Sequence, residues 1–71
     1  MDRTPIESSN IQSAGYSPAE HRLQIEFKSG GVYDYEDVPP KVYEEFTEAP
    51  SKGRFFAQNI KGHFQCSRIG G

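Results

Sequence analysis

A chain of 71 residues with a single cysteine holds one small core and no second domain, and it cannot close a disulfide within itself. Its formal charge of -2 has the wrong sign for a tight, unspecific polyanion binder. No apolar run approaches membrane-spanning length and the polar opening MDRTPIESSN has no signal-peptide core, so the expectation is a cytoplasmic protein with no membrane, metal or cofactor.

Residues 1–8 carry no periodic pattern and are expected to form a loose arm tacked down by Ile6. Asn10 to Tyr16 is a candidate first strand, followed by a turn from Ser17 and Pro18 through His21. Arg22 to Lys28 is the clearest strand, because Leu23, Ile25 and Phe27 alternate with Gln24, Glu26 and Lys28. Ser29, Gly30 and Gly31 then read as a hairpin loop, and Val32 to Glu36 as a third strand. After Val38 the period changes. Pro39 and Pro40 suit the start of a helix, where a missing N–H costs nothing, and Val42, Tyr43, Phe46 and Ala49 recur at helical spacing. Pro50 ends that helix. Ser51 is a natural N-cap for a second one, with Phe56 and Ile60 on its apolar side and Gly62 as its stop. Residues 65–71 read as a short tail.

These elements predict an α+β domain: a three-stranded antiparallel meander with two helices on one face. The expected core is Ile11, Leu23, Ile25, Phe27, Val38, Val42, Phe46, Phe56 and Ile60.

Tyr33 and Tyr35 share one face of their strand, and loop length decides which face. A two-residue loop puts both rings beside Gln24, Glu26 and Lys28 on the open face, where unpaired bases could stack on them. The three-residue loop Ser29-Gly30-Gly31 sets Tyr33 opposite Phe27 and Tyr35 opposite Ile25, on the core face. The second register is favoured, because the first aims Asp34 and Glu36 at the helices, and an unpaired buried carboxylate is costly.

The stretches SSNIQSAGY, LQIEFKSGGVYDYEDVPP, VYEEF and APSKGRFFAQNIKG, in that order, resemble the KTSC domain, a module named for its occurrence at the C-terminus of some lysyl-tRNA synthetases. The resemblance runs from about Ile6 to about Phe64, so residues 9–64 are assigned to the domain. The family includes free-standing bacterial and phage proteins of this length. Its synthetase context implies RNA as a partner.

Charge is distributed unevenly. Residues 1–50 hold all ten acids against four cations, whereas residues 51–71 hold Lys52, Arg54, Lys61 and Arg68 and no acid. At the start of the second helix, Ser51, Lys52, Gly53 and Arg54 combine outward-pointing amides with cations, a candidate phosphate site that Lys61, His63 and Arg68 would extend. The bland alternative makes Ser51 an ordinary cap and Gly53 a point of close packing against the first helix. His63 and Cys66 lie three apart but complete neither a zinc site nor an activated thiol. Asp34, between the tyrosines, argues against the strand itself meeting phosphate. Two function classes follow: a non-catalytic module for RNA or another phosphate-bearing ligand, with Tyr33 and Tyr35 as stacking candidates, or a protein-interaction module using the acidic first helix or a strand edge.

Overall fold

The computed structural model describes residues 3–70. Five strands and two helices follow in the order β1 (Thr4–Pro5), β2 (Ile11–Ser17), β3 (Arg22–Phe27), β4 (Val32–Tyr35), α1 (Pro40–Glu48), α2 (Lys52–Asn59) and β5 (Cys66–Gly70). The strands form one antiparallel sheet in the order β1-β2-β3-β4-β5.

The α+β class and the pair of helices on one face hold, but the sheet has five strands where three were expected. Both additions come from segments read as arm and tail. Thr4 and Pro5 pair with Ala14 and Ser13, and the segment after Phe64 returns along β4, with Cys66 opposite Tyr35 and Arg68 opposite Tyr33. The reason is backbone accounting. Without β5, one whole edge of β4 would leave its N–H and C=O groups unpaired beside the core.

Phe46, Ile11, Leu23, Ile25, Ile60 and Val38 are fully buried between the sheet and the helices, and Phe56 is nearly so. Phe27 and Val42, expected in the core, are only partly buried and pack at its margin. Ala14 and Tyr35 join the core instead. Ile11 and Ala14 both reach it because a bulge interrupts β2 between Ile11 and Ser13. Pro40 opens α1 after Pro39, and the extended backbone of Ala49 ahead of Pro50 ends it.

The β3–β4 hairpin has the expected parity and a shifted register. Ile25 faces Tyr33 and Leu23 faces Tyr35, two residues along from the pairing that a Ser29-Gly30-Gly31 loop would impose. The turn is built on Lys28, Ser29 and Gly30: Gly30 N donates to the Phe27 carbonyl at 2.9 Å, and Phe27 N donates to the Gly31 carbonyl at 2.9 Å. Gly30 has a φ of +110°, the left-handed conformation that closes such a three-residue loop, and this selects it over Gly31 as the last loop residue.

Both tyrosines therefore face the helices, and alternation puts Asp34 on the other side of the sheet. There, no helix covers the strands, and a polar ladder crosses them. Arg3 Nη1 donates to Gln24 Oε1 at 2.8 Å, and Gln24 Nε2 donates to Asp34 Oδ1 at 3.0 Å. Arg22 lies within 4.0 Å of Glu20, Asp34 and Glu36, and Ser13 donates to Glu26 at 2.8 Å.

Candidate functional site

The helix-covered face is closed at one end and open at the other. Under α1, the rings of Tyr16 and Tyr43 stack with centroids 4.7 Å apart, and the Tyr16 hydroxyl donates to the Val38 carbonyl at 2.5 Å. Beyond the end of α2 a groove of about 430 Å³ opens between the helix and the sheet, a size that suits a small organic ligand. Its floor is aromatic: Phe56 meets Phe27 and Tyr35 edge-on at 5.4 Å, and Phe27 meets Tyr33 edge-on at 5.7 Å. Asn10, Ser29, Lys61 and Cys66 also line it, and none of its lining residues is a carboxylate.

Tyr35 is the least ordinary member. Only 5% of its surface is exposed, yet its hydroxyl makes no hydrogen bond to any described residue. Buried tyrosines generally find such a partner, as Tyr16 does. The hydroxyl is not sealed in, since the described residues contain no fully enclosed unpartnered side-chain polar atom and Tyr35 lines the groove. Burial pushes the Tyr35 phenol up to about 12, with the Cys66 thiol and the Tyr33 phenol adding to the rise. It is therefore a neutral hydroxyl at physiological pH. Tyr33 is half-buried, so part of its ring remains available from the groove. Asn10 receives a hydrogen bond on Oδ1 from Ser8 Oγ at 2.9 Å, and its side-chain Nδ2 makes none to a described residue.

The expected site residues separate into two groups. Tyr33, Tyr35 and Lys61 come together at the groove, and Arg68 sits on β5 opposite Tyr33, its Nε donating to the Gly70 carbonyl at 3.3 Å. His63 is exposed on the turn after α2, its amide bonded to the Ile60 carbonyl at 3.0 Å. Ser51, Lys52, Gly53 and Arg54 lie at the other end of α2, roughly 13 Å from Lys61 along the axis at 1.5 Å per residue. Ser51 caps the helix by accepting from Arg54 N at 3.3 Å, and Lys52 Nζ donates to the Ala49 carbonyl at 3.3 Å.

Gly53 is a point of close packing, but its neighbour is the Ser8–Asn10 turn and not α1. A Cβ there would stand 2.9 Å from both Ser8 Oγ and Asn10 Oδ1. Sequence reasoning missed Asn10, Ser29, Phe27 and Phe56 as groove residues and set Cys66 aside as a tail thiol. The signal that could have found Cys66 is the strand pairing: once β5 lies against β4, Cys66 faces Tyr35.

The same architecture occurs in known proteins, and the family model of the KTSC domain matches residues 7–64. The chain belongs to the KTSC domain family. A crystal structure of a KTSC domain protein from Yersinia pestis superposes with a TM-score of 0.95 at 46% identity, covering 97% of both chains. An uncharacterised protein of Stutzerimonas stutzeri is 44% identical over 70 residues, 97% of this chain and 99% of its own length. A lysine-tRNA ligase of a Nostoc species is 43% identical over 63 residues, which cover 89% of this KTSC chain and 11% of the ligase. Among the described residues no helix is long and apolar enough to cross a membrane.

Proposed function

We propose that this KTSC domain is a small non-catalytic module that binds an unpaired segment of RNA across the aromatic groove. The observation that carries the reading is the composition of that groove: a ring-lined floor with Lys61 at its margin and no carboxylate, in a chain where acids outnumber cations. Unpaired bases stack on such rings, and their phosphates seek cations. The related segment within a lysine-tRNA ligase supports the choice of RNA over other aromatic anions. Among the described residues no carboxylate or imidazole lines the groove to serve as a general base, which favours binding over catalysis. RNA binding of this kind belongs in the cytoplasm.

The test is an amide NMR titration with short single-stranded RNA at two salt concentrations. Shifts at Asn10, Ser29, Tyr33, Lys61 and Gly62 that weaken with added salt are the expected result. Shifts confined to residues 51–54 would move the site back to the start of α2, and no shifts at low salt would remove RNA altogether.

A protein-interaction module is the second reading, favoured by the position of β5 at the end of the sheet. Ile69 on that strand is 51% exposed, the one large hydrophobic so exposed among the described residues. A partner strand added there would bind through main-chain hydrogen bonds and respond weakly to salt.

A further inference from the structure

The proposed RNA reading leaves open what the groove recognises in a base, and the unpartnered polar groups at the groove answer that. Four of them are donors first: the Tyr35 and Tyr33 hydroxyls, the Asn10 side-chain Nδ2 and the Lys61 ammonium, none hydrogen-bonded to a described residue. The Asn10 oxygen already accepts one hydrogen bond, from Ser8 Oγ at 2.9 Å. No carboxylate lies among the described lining residues, and the remaining acceptors there are neutral, the Ser29 hydroxyl among them. The groove therefore complements an edge rich in acceptors. Uracil presents two carbonyl oxygens and guanine a carbonyl beside a ring nitrogen, whereas adenine presents an amino donor and no carbonyl.

Tyr35 is the group best placed to make the distinction. Its ring is held edge-on by Phe56 at 5.4 Å, so the hydroxyl is aimed before any ligand arrives. A groove of about 430 Å³ holds one base and its sugar, not a stack of several.

We infer that the groove takes a single splayed-out nucleobase and that the Tyr35 hydroxyl donates to its carbonyl, so that bases bearing a carbonyl are preferred over adenine. The inference rests on the RNA reading above and adds base selectivity to it.

The experiment compares tri-uridylate with tri-adenylate, titrated by NMR into the full chain and into Tyr35→Phe, alongside thermal melting of both proteins. The parent protein should bind tri-uridylate several-fold more tightly. Tyr35→Phe should lose about fivefold in tri-uridylate affinity, the usual worth of one neutral hydrogen bond, and bind tri-adenylate as before. Its melting temperature should be unchanged or higher, because the deleted hydroxyl has no partner among the described residues. Equal affinities of the parent for the two oligomers, or Tyr35→Phe retaining the preference, would overturn the inference and leave RNA binding standing. A clearly lower melting temperature for Tyr35→Phe would make the hydroxyl structural and overturn it as well. No binding of either oligomer at low salt would overturn both readings.

Discussion

The two ends of the helix-covered face share a sheet, a helix layer and a supply of tyrosines, yet only one end is finished. Under α1, the ring of Tyr16 is covered by Tyr43 and its hydroxyl is spent on the Val38 carbonyl. Beside α2, Tyr35 is more deeply buried than Tyr16, yet its hydroxyl has no partner among the described residues. A fold completes its hydrogen bonds wherever packing alone is at stake. The end left incomplete is the one to which the proposed ligand is assigned.

Truncation in the closed half should have the largest effect. Phe46 is fully buried, and Phe46→Ala should cost about 3–5 kcal/mol, enough to unfold a domain of this size near room temperature, as chemical denaturation would show. Tyr35→Ala should follow at about 3 kcal/mol, since its ring packs as a core ring does even though its hydroxyl does not. If that variant melted like the parent, the open end would carry no structural weight. Tyr16→Phe comes next: it removes the donor to the Val38 carbonyl and should cost about 1 kcal/mol. Set against Tyr35→Phe, expected to melt no lower than the parent, it measures the contrast between the two ends with the same chemical deletion.

A pH-dependent effect is expected from alkali. The Tyr35 phenol rises from 10.0 in the unfolded reference to about 12 in the fold. Below pH 10 both states keep the proton, and this contribution to stability is fully present. As pH rises from 10 towards 12 the unfolded chain ionises first, so stability should decline across that window. Denaturation midpoints that stay level through it would show the phenol to be better solvated than its burial implies. Lys61→Gln should leave stability within about 0.5 kcal/mol, since Lys61 is exposed. It should lower RNA affinity and reduce the salt slope by about one, measured by titration at several ionic strengths.

Much of this contrast was readable before any coordinates. The alternation of Leu23, Ile25 and Phe27 and the helical spacing of Val42, Phe46, Phe56 and Ile60 marked the main layers, and the cost of burying Asp34 chose the face for Tyr33 and Tyr35. The register was a different matter. Two adjacent glycines can each end the hairpin loop, and only the positive φ of Gly30 selects one of them. β5 was invisible because Cys66 to Ile69 are all exposed and show no alternation; the strand exists through its pairing with β4 and not through its own side chains. β1 contains Pro5, a residue that argues against a strand wherever the edge position is unknown. The groove was legible only as a tyrosine pair and a lysine. Its other walls come from segments distant in sequence that no periodicity connects.

Pro5 also gives the sheet a direction of growth. On the β1 side the outer edge is two residues long, and proline presents no N–H to an incoming strand. On the β5 side the strand is five residues long. Any strand addition is therefore one-sided, and two copies joined through β5 would turn only their blunted edges outward. Such a sheet would have no long edge left to extend it, because Pro5 leaves the β1 edge short of a donor.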